Sequence, residues 1–176
     1  MRLTNILRRL RRDEEGATAF DFVLVFPVFF MLFLASFESG MLMTRQVMLD
    51  RGVEQALRIV RLNTFNPPTY DQFHTMVCQG SGMIGDCLND LRIEMVPFDP
   101  FTSFNMNTTP SCTNRSLAVQ PATPFQGGAD NQMVFVRACV MYRSFFPSLK
   151  FGSTLSDGNG EYALTAMGVF VAEPSV

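Results

Sequence analysis

The chain has 176 residues and a net charge of only -2 at pH 7. This near balance excludes a globally basic surface of the kind that binds nucleic acid. The length suits one membrane anchor and one small domain of roughly 110–130 residues. The charge is uneven, because residues 1–16 hold five arginines against three acidic residues, a net +2, whereas the remainder carries -4. A basic leader ahead of an apolar run is typical of an N-terminus directed to a membrane.

The apolar run extends from Phe22 to Phe37, sixteen uncharged residues that include six phenylalanines. Together with residues 17–21 it would form about 31 Å of helix, which matches a hydrocarbon core of about 30 Å. The alternative, a buried helix of a soluble core, rarely runs this long without a polar face. The sequence therefore predicts a membrane-spanning helix, with the arginine leader in the cytoplasm and everything after about residue 45 exported.

All four cysteines fall in the exported part: Cys78, Cys87, Cys112 and Cys139. An even count in an oxidising compartment predicts two disulfides, for which three connectivities are possible. We favour Cys78–Cys87 and Cys112–Cys139, because the first pair brackets a short glycine-rich turn. Each bridge would contribute roughly 3 kcal/mol by restricting the unfolded chain.

Beyond the apolar run, an amphipathic stripe continues the helix to about Asn63, ahead of a Pro-Pro pair. The stripe recurs at spacings of three and four: Leu49, Val53, Ala56, Leu57 and Val60. Three β-rich segments follow at residues 90–98, 131–145 and 161–173, the last two joined by a loop that contains "SDGNG". The expected fold is α+β: a long N-terminal helix packed on a small antiparallel sheet of three or more strands.

The pattern divides the chain into four parts. We expect a cytoplasmic basic leader at 1–16, a transmembrane helix at 17–43, its amphipathic continuation at 44–64, and a disulfide-stapled sheet domain at 65–176. The stretch 97–130 is rich in proline and irregular, and loops of this length are often functional or mobile.

Asp21 places a carboxylate at the start of the apolar run, five residues after Gly16. It could simply be solvated at the headgroup level, where a charge costs little. Alternatively, cleavage after Gly16 would create an amine at Ala17, one helical turn before Asp21. The carboxylate could then pair with that amine or with the amine of a neighbouring subunit, and pairing makes such a charge tolerable.

These residues carry a resemblance. A basic leader, a glycine, an acid at the fifth position after it and an apolar helix resemble a type IV prepilin. More narrowly, "EEGATAFDFVLVFPVFFMLFLASFESG" resembles the TadE-like pilus-assembly family, whose usual N-terminal pattern is "GxxxxEFxLxxPxxxxLxxxxxEfG". Pro27, Glu38 and Gly40 fall where that pattern places them. The resemblance covers about residues 8–60, and it continues more weakly in the strand near residue 140.

The resemblance implies a minor pilin or pseudopilin of the tight-adherence pilus, cut by a prepilin peptidase after Gly16. The chain departs from the family in having Asp21 where glutamate is usual, and the shorter side chain reaches less far. Pro27 removes one helical hydrogen bond, so a kink is expected there, although membrane helices also tolerate proline routinely. Glu38 is expected to be solvated at the far interface, with a partner contact as the alternative.

The sequence indicates no enzyme, cofactor or metal. His74 lies four residues before Cys78 and could mimic part of a zinc site, but a surface histidine beside a disulfide is the preferred interpretation. No nucleophile triad, phosphate loop or HExxH motif is present in the sequence.

We therefore expect a single-pass protein of the bacterial inner membrane, N-terminus in the cytoplasm and C-terminus in the periplasm. It would take part in pilus initiation, priming or capping. Its expected partners are the lipid bilayer, a prepilin peptidase, other pilin-like subunits and the inner-membrane assembly platform, with no nucleic acid. Two alternatives stay open: an uncleaved membrane-anchored periplasmic scaffold of the secretion machinery, and a secreted binding domain with an ordinary signal peptide.

Overall fold

The computed structural model describes residues 15–62, 67–101, 109–146 and 161–173. Within these ranges the elements follow in the order α1 (Glu15–Leu62), α2 (Tyr70–Ser81), α3 (Cys87–Asp90), β1 (Leu91–Phe98), β2 (Met133–Arg143) and β3 (Glu161–Val171). The expected leader before residue 15 and the expected "SDGNG" turn lie outside the described residues. The α+β architecture predicted from the sequence is confirmed.

Helix α1 is 48 residues long, and its observed bounds agree with the expected helix from about residue 16 to 63. The helix continues through Pro27 without interruption. Membrane-type helices keep proline where neighbouring groups take over the freed backbone carbonyl. The helix ends at Leu62, ahead of Pro67 and Pro68, whose rings cannot continue it.

The three strands form one antiparallel sheet in the order β1-β2-β3. Ile93 lies opposite Ala138 in the first pair, and Val136 lies opposite Gly168 in the second. All three strands were expected from the alternation of apolar residues, and their existence and order as a meander are confirmed.

One face of the sheet and the second half of α1 enclose the hydrophobic core. The helical stripe expected from the sequence is buried, with Leu49 and Ala56 fully inaccessible. The helix approaches β3 closely at Gly168, where an added Cβ would collide with Leu57 Cδ1. The missing side chain at this point lets α1 lie directly on the strand.

Helix α2 was not anticipated. Its N-terminus is closed by a capping box, in which the Thr69 hydroxyl accepts from Gln72 N and the Gln72 side chain accepts from Thr69 N. It crosses α1 at a pair of glycines: a Cβ on Gly52 would lie 2.6 Å from Val77 O, and a Cβ on Gly80 would lie 2.8 Å from Gly52 Cα. Only backbone-to-backbone contact fits at this crossing.

The other face of β1 and β2 is covered by the irregular stretch between them. Cys112 is bonded to Cys139 in β2, and Thr113 Oγ1 donates to Asp90 O at 2.7 Å. Further along, the stretch pairs with the outer edge of β1, where Met95 N donates to Pro124 O at 2.8 Å. Residues 109–130 are irregular, as expected, but their hydrogen bonds and disulfide tie them to the sheet.

A charged pair lies beneath this covering segment. Glu94 and Arg137 are directly opposite in the β1–β2 register, and Arg137 Nε donates to Glu94 Oε2 at 2.7 Å. Their side chains are 11% and 4% exposed. Removing one partner from a pair this buried leaves an uncompensated charge, which is strongly destabilising.

Both disulfides join the cysteines in the pairing that the sequence favoured, Cys78–Cys87 and Cys112–Cys139. The expectation of a surface histidine was wrong, because His74 is buried at 7% exposure and its Nε2 lies 3.0 Å from Leu91 O. A carbonyl oxygen only accepts, so Nε2 carries the hydrogen in this contact. The unexpected helix α2 explains the error, since it places His74 against the start of β1.

Candidate functional site

Between residues 19 and 33, α1 projects its side chains into open space. Large apolar residues between positions 20 and 33 are 45% to 66% exposed, and phenylalanines four residues apart stack along the helix, with Phe22 and Phe26 centroids 5.0 Å apart. A continuous exposed apolar surface marks a site of membrane or protein contact. Within the described residues, one helical segment, Ala19–Leu62, is long and apolar enough to cross a membrane. It is a candidate membrane anchor.

Three of the residues singled out from the sequence lie near the beginning of this anchor. Gly16 and Ala17 fall within the first turn of α1. Asp21 is exposed and makes no ion pair or hydrogen bond with any residue that the structure describes. Cleavage after Gly16 and pairing of Asp21 with a new amine therefore stay predictions.

Glu38 lies where the apolar half of α1 reaches the sheet domain. The expectation of a solvated glutamate was wrong, since Glu38 is 5% exposed. Both carboxylate oxygens accept from Phe145 N at 3.1 Å. The Phe145 ring also lies 6.3 Å from the ring of Phe37. The chain leaving β2 thus folds back onto α1 and supplies the backbone N–H that takes the place of water.

Arg45 completes this junction from the next turns of the helix. Its guanidinium carbon lies 3.9 Å from the centroid of the Tyr142 ring and 5.3 Å from that of Phe145. A cation over an aromatic face is attracted by the ring quadrupole, with about 0.5–2 kcal/mol depending on solvation. We call Glu38, Arg45, Tyr142 and Phe145 the junction.

Two polar atoms of the junction, Arg45 Nε and the Tyr142 hydroxyl, are buried and have no hydrogen-bond partner among the residues that the structure describes. Burial raises the pKa of Tyr142, the Arg45 charge lowers it, and the Glu38 charge raises it again. The net direction is upward, so the phenol keeps its proton at neutral pH and can donate.

Beside the junction is an open cleft of about 480 Å³. It is lined by apolar side chains and by five charged residues: Arg45, Asp86, Asp90, Arg115 and Arg143. Clefts of a few hundred Å³ with a few polar groups are typical sites for small ligands or for parts of larger ones.

The far wall of the cleft is fixed by Arg115, which comes from the irregular stretch. Its guanidinium contacts Asp90 Oδ2 at 2.5 Å and Glu161 Oε1 at 2.6 Å, and it therefore links the end of α3 to the start of β3. The hydrogen bond to Asp90 is the main cause that raises the pKa of Arg115 above its usual range; burial opposes this rise, and Glu161 adds to it. Asp90 and Glu161 are thus already neutralised within the fold.

Sequence reasoning anticipated the anchor but missed the junction. Glu38 was identified as part of a pattern, whereas Arg45, Tyr142 and Phe145 were not singled out. The four lie up to 107 positions apart, and no local spacing brings them together. Among the described residues, no group of three or more His, Cys, Asp or Glu is placed to hold a metal ion.

In a comparison with known proteins, residues 16–58 match the family model described as TadE-like protein. No curated protein matches the chain, and no solved structure does. The matched segment includes the exposed apolar half of α1, Glu38, Arg45 and the crossing glycine Gly52. This family implies involvement in tight-adherence pilus assembly, and its members are structural proteins. The resemblance read from the sequence is thereby confirmed over residues 16–58, where the chain is similar to TadE-like pilus-assembly proteins.

Proposed function

We propose that the chain is a minor pilin or pseudopilin that takes part in initiating, priming or capping a tight-adherence pilus. The observation that supports this most is the exposed apolar half of α1, which projects from a folded, disulfide-stapled domain. A helix with this surface can lie in lipid and later pack against similar helices in a filament, where apolar contact replaces lipid contact.

The proposed topology follows from the leader and the helix. Residues 1–16 stay in the cytoplasm, 17–43 cross the inner membrane, 44–64 continue the helix, and 65–176 form a periplasmic domain. Arginines on the N-terminal side favour this orientation, and the periplasm is an oxidising compartment in which the two disulfides can persist.

A prepilin peptidase would cut after Gly16 and leave Ala17 as the first residue. Asp21 supports this proposal because it is exposed and makes no ion pair or hydrogen bond with the described part of the chain. A carboxylate near lipid is costly unless it is paired, and the amine of a neighbouring subunit would pair it. The inner-membrane assembly platform and other pilin-like subunits are then the partners, and the role is structural rather than catalytic.

The test is a count of surface pili on cells of the source bacterium. Asp21→Ala should remove most pili, whereas Asp21→Glu, which restores the residue usual in the family, should keep them. Asp50→Ala is the matched control, since Asp50 is an exposed aspartate on the same helix. Each variant must also accumulate in the membrane to the wild-type level. An Asp21→Ala strain as piliated as the Asp50→Ala strain would refute the assigned role of Asp21.

A further inference from the structure

The junction lies at the level where the apolar half of α1 ends. Phe37 closes the apolar run and is 48% exposed, and the ring of Phe145 stands 6.3 Å from it with 50% exposure. If the run lies in hydrocarbon, as proposed above, Phe145 stands at the boundary between lipid tails and headgroups. Aromatic side chains are enriched at that depth in membrane proteins.

Arg45 reaches back to the same level. Its Cα is eight residues beyond Phe37, or about 12 Å along the axis, but helical side chains lean toward the N-terminus. The contact of its guanidinium with the Phe145 ring, 5.3 Å from the centroid, fixes this direction. The headgroup layer is about 5–7 Å thick on each side of the hydrocarbon, and an arginine that extends back toward the apolar run falls within it.

The junction has donors that the described residues do not satisfy. No carboxylate of the described residues lies within 4 Å of the Arg45 guanidinium, and Arg45 Nε and the Tyr142 hydroxyl have no acceptor. Tyr142 is only 8% exposed and lines the cleft. Burying a donor without an acceptor is unfavourable, so an added acceptor at this point would stabilise the junction.

The other charges of the cleft leave room for an anion. Asp90 is bonded to Arg115, and Glu161 contacts both Arg115 and Arg143. Asp86 lies in the lining and accepts from the Asn89 amide at 2.7 Å. Arg143 is 71% exposed and has its Glu161 contact at 3.3 Å. Arg45, which has no carboxylate contact among the described residues, and the largely exposed Arg143 thus supply positive charge in the lining of the cleft.

We propose that this cleft binds the phosphate of an anionic membrane lipid through Arg45 and Tyr142. The lipid phosphate accepts from the guanidinium and, after a small shift of the ring, from the tyrosine hydroxyl, while the acyl chains lie along the exposed phenylalanines of α1. The bound lipid fixes the orientation of the sheet domain relative to the membrane. The inference rests on the membrane-anchored arrangement proposed above but does not require a role in a pilus.

The test is mass spectrometry of the intact full-length chain released from detergent, titrated with phosphatidylglycerol. Diacylglycerol, which lacks the phosphate, and inorganic phosphate, which lacks the acyl chains, are the comparison ligands. The wild type should retain one phosphatidylglycerol and neither comparison ligand. Arg45→Gln should weaken retention by about tenfold or more, the effect of losing one hydrogen bond to a charged group.

Arg58→Gln is the matched control, because Arg58 is an exposed arginine on the same helix beyond the apolar half. It should bind phosphatidylglycerol like the wild type. Tyr142→Phe keeps the ring under Arg45 and should weaken binding less than Arg45→Gln, so it provides a reading if Arg45→Gln fails to fold. The proposal would be overturned if the Arg45 and Arg58 variants retained phosphatidylglycerol equally. If Arg45→Gln cannot be purified, equal retention by Tyr142→Phe and the wild type would overturn it.

Binding of inorganic phosphate at the same cleft without lipid retention would assign it to a free anion instead. Failure of the chain to enter detergent micelles or membranes would refute the anchor itself, and that outcome is distinguishable from loss of the lipid site. The pilus count of the Asp21 experiment tests neither the membrane anchor nor the lipid site.

Discussion

The crossing of α1 and α2 offers a sharp test, because the same helix carries another glycine that no described residue approaches closely. A Cβ on Gly52 would lie 2.6 Å from Val77 O and 3.0 Å from Ser81 N, both backbone atoms. A Cβ on Gly40 would have no atom of the described residues within 4 Å. Alanine at the two positions is therefore the same chemical change in two opposite surroundings.

The magnitudes follow from two opposing effects. Replacing glycine by alanine inside a helix stabilises it by about 1 kcal/mol. At Gly52 the added methyl group must push α2 away, and overpacking of this kind costs about 1–3 kcal/mol. Gly40→Ala should thus be neutral or stabilising by up to about 1 kcal/mol. Gly52→Ala should be less stable than Gly40→Ala by about 1–3 kcal/mol.

The assay is urea unfolding of the full-length chain in mild detergent, followed by intrinsic tyrosine fluorescence. The chain has no tryptophan and three tyrosines, which all lie in α2, β2 or β3. The signal therefore reports on the sheet domain rather than on the anchor. If Gly52→Ala unfolds at the same urea concentration as Gly40→Ala, the close crossing of α1 and α2 does not exist as described.

Three further outcomes are expected. Glu38→Ala should lower the free energy of unfolding by about 1–3 kcal/mol because it leaves Phe145 N without an acceptor. Glu38→Gln keeps an acceptor and should lose much less stability. Equal losses of the two variants in urea unfolding would contradict the contact between Glu38 and Phe145 N. Replacing Cys112 and Cys139 together by alanine should cost about 3.6 kcal/mol for a 27-residue loop, and a loss well below that of the nine-residue bridge would be inconsistent with the tie between loop and sheet. The pKa of Tyr142 in the folded protein is above its unfolded value of 10.0. Its contribution to the free energy of unfolding is therefore complete below pH 10 and is lost as the pH rises above that value. Tyr142→Phe should flatten this decline of stability with pH, and an unchanged slope of stability against pH would argue against burial of the hydroxyl.

The regular elements with strong periodicity were predictable from the sequence. The stripe that includes Leu49, Val53 and Leu57 repeats at helical spacing, and Val134, Val136 and Ala138 alternate as in a strand. Both patterns are local, so a single chain displays them completely. The disulfide pairing was favoured for a similarly local reason, because the first bridge closes a turn of nine residues.

Helix α2 was missed although its start was signalled. Thr69 and Gln72 have the spacing of a capping box, directly after Pro67 and Pro68. What the sequence did not contain was the reason for its position, since the closeness of Gly52 and Gly80 depends on how two helices cross. From the sequence alone, a glycine inside a helix indicates only lower helix stability, and its role in close packing is visible only when the neighbouring helix is known.

The junction shows why the error over Glu38 arose. A carboxylate at the end of an apolar helix is most simply solvated, and only the tertiary fold brings Phe145 N to it across 107 positions. The same holds for Arg45, whose partner rings come from the end of β2 and the residues just after it. Long-range polar contacts leave no periodic trace, and they are where sequence reasoning fails for this chain.

The most direct test of a membrane-embedded, pilin-like α1 is the first residue of the mature chain, measured by intact mass on protein extracted from the bacterial membrane. A chain that begins at Ala17, with α1 otherwise whole, is the predicted result. A chain that still begins at Met1 would indicate an uncleaved scaffold, and one that begins near residues 36–45 would indicate a secreted domain. Either of these would contradict the pilin proposal.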